Sequence, residues 1–281
     1  MKSRRYVLGG YTVWMTLLIA LYYWLPGLRV EAWGLIGLSG VIAIVAGVII
    51  NRPSRKAPWL LLALAQTSFA AGQVSFLLAQ AIGTQLPFPS FADLLYLLTY
   101  PLYAAGLLIF IRWRTPDRDR RSLIDALTLT AGLALLSWIY LVLPYVHNPA
   151  LTWLQKCVAI AYPLGDVLVL AMIARLLAPG TAQARCIQLL TLGILGLLAS
   201  DVSFGLLQLN GSFHNGTVVD LGWAVFYAAW GAAALHPTMT ELTEPVTRQY
   251  AEVSPMRLIV LMLASLIAPI ASGASTADRQ V

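Results

Sequence analysis

The sequence predicts an all-α integral membrane protein, a polytopic helical bundle of eight to nine spans. Of the 281 residues, 59% are hydrophobic and only 11% are charged. The apolar residues come in runs of about 20, the length that an α-helix needs to cross a hydrocarbon core of about 30 Å. Short polar segments separate these runs, so we interpret residues 1–281 as a single membrane domain embedded in a lipid bilayer.

Each predicted span is an apolar run between polar segments. The runs cover residues 6–26, 33–50, 59–82, 92–113, 123–146, 157–177, 187–209 and 220–236. A ninth run, 256–272, is shorter and contains Pro269, so it predicts a partial span. The first run follows the basic residues MKSRR as in a signal peptide, but it is long and no small-residue cleavage site follows it, so we interpret it as an uncleaved span.

The distribution of positive charge predicts the orientation, because Lys and Arg near span ends are retained on the cytoplasmic side. With the N-terminus in the cytoplasm, all but three of the 18 cations fall in cytoplasmic segments, the exceptions being Arg29, Lys156 and Arg279. The formal charge of +6 is therefore mostly a topological signal. It does not indicate nucleic-acid binding, since no stacking motif or basic groove pattern accompanies it.

Residues typical of soluble enzymes and metal sites are scattered. The prediction places Cys157 at the outer end of the sixth span and Cys186 at the inner end of the seventh, too far apart for a disulfide. His147 and His214 fall in predicted outer loops and His236 at the inner face. No P-loop, H-E-x-x-H or G-x-S-x-G motif occurs. We therefore expect no catalysis, no metal and no cofactor.

Internal similarity predicts three tandem helical hairpins. The segments SFADLLYLLTYPL (90–102), TWLQKCVAIAYPL (152–164) and TVVDLGWAVFYAA (217–229) superpose without gaps. Their tyrosines are Tyr100, Tyr162 and Tyr227, and seven positions before these stand Asp93, Gln155 and Asp220. The spacing predicts parallel repeats at 59–113, 123–177 and 187–236, unlike the inverted repeats of many secondary transporters. Chance similarity within the small alphabet of membrane helices is the alternative.

Polar and aromatic side chains recur at helical spacing on the later spans. Tyr162 and Asp166 lie four residues apart on the sixth span and share a face. Asp220, Trp223 and Tyr227 do the same on the eighth span. These stripes predict a cavity open to the outside, whereas an aromatic belt at the membrane interface is the alternative.

The third span carries glutamines every seven residues, at Gln66, Gln73 and Gln80. Amide side chains on one face of a membrane helix usually form hydrogen bonds to a neighbouring helix. We therefore interpret this seam as structural.

Two carboxylates are predicted within the membrane. Asp166 and Asp201 lie at similar depth on consecutive spans, slightly outside the midplane, with no basic side chain in that layer. An ionised carboxylate in hydrocarbon costs several kcal/mol, so the pair is expected to be protonated, to share a proton or to meet a cation. The predicted site has Asp166 and Asp201 beside Tyr162, with Asp93, Tyr100, Asp220 and Tyr227 nearer its mouth, and binds a proton, a small cation or an amine. Buried hydrogen bonds to serine or tyrosine are the alternative.

Several segments resemble a known family. PSFADLLYLLTYPLYAAGLL, AYPLGDVLVLAMIARLL, LLASDVSFGLL and LHPTM are similar to the polytopic N-terminal region that precedes GGDEF and EAL domains in bacterial cyclic-di-GMP signalling proteins. The similarity covers most of residues 59–270. It implies a sensory input region in the bacterial inner membrane, coupled to a cytoplasmic diguanylate cyclase or phosphodiesterase.

The chain departs from that family pattern, because it contains no GGDEF or EAL sequence. Nine spans from a cytoplasmic N-terminus would also leave Val281 outside, so we expect a truncated or stand-alone form. The leading hypothesis is therefore membrane signal input without catalysis in this chain. A small-solute or proton-coupled transporter is the alternative, and an intramembrane enzyme is the least favoured. A homodimer through the membrane domain stays open.

Overall fold

The computed structural model describes residues 2–84, 86–114, 120–177, 184–209 and 211–244, and these residues form helices joined by short connections. The helices are α1 Lys2–Trp24, α2 Arg29–Asn51, α3 Ala57–Ala81, α4 Phe91–Arg114, α5 Arg120–Ser137, α6 Leu143–His147, α7 Trp153–Leu176, α8 Arg185–Leu209 and α9 Val218–Leu235. A 3₁₀ segment, Pro237–Thr243, follows α9. The predicted all-α fold is confirmed.

Eight helices of the described chain are long and apolar enough to cross a membrane. They correspond one to one with the first eight predicted spans, so the chain is a multi-pass membrane protein. The predicted ninth run, 256–272, lies outside the described residues.

Some spans are longer than predicted because their polar ends continue the helix. The second span begins at Arg29, directly after a short turn at Pro26–Leu28. The sixth begins at Trp153, where Thr152 and Gln155 form a capping box that satisfies the first backbone N–H groups. Asp166 therefore lies near the middle of its helix, deeper than its distance from Cys157 indicated.

The fifth span is irregular: α5 passes through a π-helical turn, Trp138–Val142, into the short α6. Pro144 follows this turn and has no backbone N–H to offer the carbonyl of Tyr140. The Leu143 N–H instead bonds to the carbonyl of Trp138, five residues earlier, which widens the turn ahead of the proline.

Six of the described helices form a closed ring. Around it, α2 contacts α3, α3 contacts α4, α4 contacts α7, α7 contacts α8, α8 contacts α9, and α9 returns to α2. Helix α1 packs outside the ring on α2 and α9, whereas α5 packs outside on α7. The chain therefore encloses an interior bounded by α2, α3, α4, α7, α8 and α9.

The predicted hairpins take unequal places in this ring. Both helices of the first and third hairpins belong to it, as α3 with α4 and α8 with α9. The second hairpin contributes only α7, because α5 lies outside and α2 closes the ring instead. That the three hairpins are tandem repeats stays a prediction.

Hydrogen bonds at the helix ends define two faces of the bundle. On the face where α1 begins, here called the N-terminal face, Asn51 donates to the Ala234 carbonyl at 3.0 Å and Arg114 to the Glu241 carbonyl at 3.0 Å. On the opposite face, Gln155 donates to the Phe88 carbonyl at 2.9 Å. The described helix ends thus lie on alternate faces, as eight spans require.

Candidate functional site

Asp166 and Tyr100 are joined across the contact between α7 and α4. The Tyr100 hydroxyl donates to Asp166 Oδ1 at 2.9 Å, and the exposed fractions of the two residues are only 8% and 6%. Gly165 makes this contact sterically feasible, because a Cβ atom added there would lie 2.5 Å from the ring carbons of Tyr100. The aromatic ring therefore lies directly against the backbone of α7.

Asp201 is held from the other side by α9. The Trp223 indole N–H donates to Asp201 Oδ1 at 2.7 Å. Helices α8 and α9 approach closely here, since a Cβ atom on Gly222 would clash with Gly196 and Ser200. Asp201 as a residue is half-buried, but its Oδ2 atom is buried and receives no N–H or O–H donor from the described residues.

Asp166 and Asp201 interact with each other, and Tyr100, which donates to Asp166, interacts with both. Two ionised carboxylates have only acceptor atoms, so a hydrogen bond between them requires a proton on one of them. Such a proton would be available to Asp201 Oδ2, which has no donor among the described residues. That Asp166 and Asp201 together form a ligand site, as the sequence predicts, stays a prediction.

A second Asp–Tyr contact lies nearer the opposite face. The Tyr162 hydroxyl donates to Asp93 Oδ1 at 2.7 Å, and Asp93 Oδ2 accepts from the backbone N–H and hydroxyl of Ser90 at 2.7 and 2.8 Å. Helices α4 and α7 run in the same direction, so each supplies one tyrosine and one aspartate to the pair of contacts. Asp93 is half-buried at the start of α4, so the second of these two Asp–Tyr contacts lies close to the opposite face.

Asp220 belongs to a different cluster. Its Oδ2 accepts from the Tyr22 hydroxyl at 2.7 Å and from the Gly216 backbone N–H. Tyr22 lies on α1, outside the helix ring, and Arg29 stacks near its ring. The alignment of Asp220 with Asp93 could not show this, because α1 is not part of the repeated sequence. Asp220 is therefore set apart from the carboxyl pair.

Tyr227 lies in the interior rather than near a mouth. Its residue is fully buried, and its hydroxyl has no hydrogen-bond partner among the described residues. The Tyr103 hydroxyl and both amide atoms of Gln66 share that condition. Of the glutamine seam, Gln73 accepts from Tyr96 on the neighbouring helix α4 at 2.6 Å, so the structural interpretation is confirmed for Gln73. Gln80 accepts from Asn215, which lies on the connection before α9.

The remaining candidate chemistry is sparse within the described residues. Cys157 is exposed, Cys186 is buried, and both are free thiols. No group of three His, Cys, Asp or Glu side chains that could hold a metal ion occurs in the described ranges. The arrangement can hold and exchange protons between carboxyl and hydroxyl groups, and it defines a multi-pass membrane protein with an acidic site inside its helix ring. Comparisons with protein-family models, curated proteins and solved structures gave no match for this chain.

Proposed function

We propose that the chain is a membrane-embedded signal-input protein of bacterial cyclic-di-GMP signalling, oriented with its N-terminal face in the cytoplasm of the inner membrane. Catalysis would belong to a separate GGDEF or EAL domain. The Asp166–Asp201 pair would receive the signal, a proton or a small cation or amine. The similarity of the YPL and DVSF segments to input regions supports the first part, and the buried carboxyl pair supports the second.

The buried carboxyl pair is the single observation that supports a signal-receiving site. No Lys, Arg or His side chain of the described residues bonds to either carboxyl group, and their donors are the uncharged Tyr100 and Trp223. Intramembrane acids without a fixed counter-charge are expensive, and they mark ion or proton sites by default. A structural role alone would be served equally well by neutral amides.

Polar access from one face favours input over transport. The Asp93–Tyr162 contact leads from the opposite face toward the carboxyl pair. Toward the N-terminal face the interior is filled by fully buried apolar side chains such as Leu107, Leu190 and Met239. Transport would require polar access from both faces in alternation, whereas a sensor needs only one.

The depth of the carboxyl pair, near the middle of α7, favours the alternative of a small-solute or proton-coupled transporter, because transporters bind their substrates there.

The double replacement Asp166→Asn with Asp201→Asn tests the proposed role. A diguanylate cyclase domain is fused after Glu252, behind the 3₁₀ segment, and cellular cyclic-di-GMP is measured with a reporter while external pH or amine concentration is varied. We expect the response of the wild-type fusion to disappear in the double variant. The fold should persist, because amide and acid side chains have nearly the same size. Asp220→Asn, which alters a buried acid on α9 that bonds to Tyr22 on α1 and not to the pair, is the matched control.

Two results would contradict the proposal. A double variant that responds like the wild type would remove the carboxyl pair from signal reception. Uptake of protons or amines into liposomes containing the purified chain, lost in the double variant, would establish the transporter instead. Size-exclusion chromatography of each variant in detergent confirms that the compared proteins are folded.

A further inference from the structure

We infer that the ligand of the carboxyl pair is a single proton shared between Asp166 and Asp201, and that this proton holds α7 against α8. The inference deepens the proposed function and rests on it, since it names the signal that the site receives. Three observations lead to it: the arrangement of donors around the pair, the filled interior beside it and the packing of the helix ring.

The donors around the pair leave one position for a proton. From α4, Tyr100 donates to Asp166, and from α9, Trp223 donates to Asp201. Each acid therefore already uses one acceptor atom with a neutral partner. Asp201 Oδ2 remains without a donor among the described residues, and Asp201 interacts with the Asp166 carboxyl group. A proton placed between the two groups supplies the missing hydrogen bond and cancels one negative charge.

The other titratable groups facing the pair are also neutral. They are tyrosines, namely Tyr96 and Tyr103 on α4 and Tyr162 on α7, and each lies close enough to Asp201 to interact with it electrostatically. Among the described residues of α8 and α9, Trp223 donates a side-chain hydrogen bond to the pair. These neutral surroundings supply no positive charge to the pair, and a proton would supply it.

Larger cations fit the site less well. A metal ion binds several oxygen lone pairs at once, but the Tyr100 O–H and the Trp223 N–H direct hydrogen atoms at this pair. An organic amine needs space for its carbon atoms. The adjacent interior is occupied by packed rings, with the Tyr103 centroid 4.6 Å from that of Trp230 and 5.5 Å from that of Phe226. A proton requires no such space.

The carboxyl pair lies at the weakest contact of the helix ring. The contact between α7 and α8 is the least extensive of the six contacts around the ring. Helix α7 is tied to α4 by both Tyr–Asp hydrogen bonds. Helix α8 is tied to α9 by the Trp223–Asp201 bond and by a hydrogen bond from Ser200 to the Val219 carbonyl. The shared proton therefore joins the α4–α7 pair to the α8–α9 pair at the least extensive contact of the ring.

Loss of the proton would open this contact. When the proton leaves, the O–H bond of one carboxyl group breaks, its electrons remain on the oxygen, and two carboxylates face each other in a medium of low polarity. Like charges at such short range repel strongly away from water. The Asp93–Tyr162 contact lies between the pair and the opposite face, so it supplies hydroxyl and carboxyl groups for proton exchange with water on that side.

Infrared titration of the purified full chain in detergent tests the shared proton. We expect one buried protonated-carboxyl C=O band that disappears as pH is raised. The band should be absent in Asp166→Asn and in Asp201→Asn, because each variant removes one half of the pair, and it should persist in Asp220→Asn. A band that survives in both single variants, or no such band in the wild type at any pH at which the protein is folded, would overturn the inference.

The opening of the ring is tested by a distance measurement. Spin labels are attached to the exposed Cys157 on α7 and to a cysteine introduced by Gln208→Cys on α8, while the buried Cys186 stays unlabelled. Pulsed electron resonance should show a longer distance at alkaline pH in the wild-type background and a constant distance in the Asp166→Asn, Asp201→Asn background. A distance that depends on pH in both backgrounds would contradict the inference that the shared proton holds α7 against α8. If the infrared band and the pH-dependent distance are both found but cyclic-di-GMP does not respond, only the proposed function is contradicted.

Discussion

At the scale of single residues, Gly165 determines whether Tyr100 can reach Asp166. The Tyr100 ring occupies the space that a Cβ atom on Gly165 would need. Any larger residue at position 165 must therefore displace the ring or push α4 away from α7. The hydrogen bond from Tyr100 to Asp166 therefore depends on residue 165 being a glycine, which has no Cβ atom.

We predict that Gly165→Ala destabilises the protein by about 1–3 kcal/mol, the typical cost of overpacking a closely packed contact. The variant should also alter the carboxyl band in the infrared spectrum, because Tyr100 would no longer donate to Asp166. Thermal unfolding in detergent measures the first effect. Gly10→Ala is the matched control, since an added Cβ atom there meets nothing within 4 Å. Equal stability of the two variants would contradict this account of Gly165.

The acidic pair was predictable from the sequence, but its donors were not. Counting residues along consecutive spans predicts that Asp166 and Asp201 lie at one depth. Which side chain lies across the gap depends on helix neighbours and rotation, which a one-dimensional pattern does not contain. Tyr100 was therefore expected nearer the mouth, although the structure bonds it to Asp166. Asp220 was grouped with the pair for the same reason, although its partner is Tyr22.

At the scale of elements, the 3₁₀ segment closes the N-terminal face. Met239 and Leu242 are fully buried, and the Arg114 side chain donates to the Glu241 carbonyl. His236 starts this segment, because its Nδ1 accepts from the Thr238 backbone N–H at 3.2 Å. A protonated Nδ1 cannot accept a hydrogen bond, so this cap requires neutral His236.

Partial burial, and then the nearby positive charge of Arg185, lower the pKa of His236 below its ordinary value of 6.5. The folded state thus binds this proton less readily than the unfolded chain does. The stabilisation is complete above the unfolded pKa and is lost as pH falls through the folded one. The effect should be small, because His236 is only half-buried.

We predict that thermal stability in detergent falls with acidification more in the wild type than in His236→Asn. Asparagine keeps an acceptor at the cap position and does not titrate. The comparison between the two proteins cancels the titration of all other groups, including the carboxyl pair. Parallel pH profiles of the two melting temperatures would show that His236 does not act through this cap.

The helical elements follow from the sequence more directly than their packing does. Apolar run length predicts each span, and the capping signal Thr152 with Gln155 explains why α7 starts before Cys157. The exclusion of α5 from the ring has no comparable signal. In a membrane, the surfaces that face lipid and the surfaces that face protein are both apolar, so hydropathy does not reveal which helices are neighbours.

At the scale of the whole molecule, the alternation of connections between two faces agrees with the charge distribution. Arg52, Arg55 and Lys56 lie on the connection after α2, and Arg112 and Arg114 lie at the end of α4, all at the N-terminal face. By the positive-inside rule, this distribution predicts that the N-terminal face is cytoplasmic. The opposite face, from which Asp93 leads toward the carboxyl pair, would then meet the external medium.

Reporter fusions test this orientation together with the direction from which the carboxyl pair exchanges protons. Fusions after Arg121 and Gly180 should report a cytoplasmic location, whereas fusions after Pro87, Asn148 and Ser212 should report an external one. Alkaline phosphatase and a fluorescent protein, each active on only one side of the membrane, give opposite readouts for every site. A complete inversion of the pattern would place the Asp93 side in the cytoplasm, so the pair would exchange protons with cytoplasmic water. A single discordant site after Arg121 would contradict the eight-span order itself, because each later span depends on that crossing.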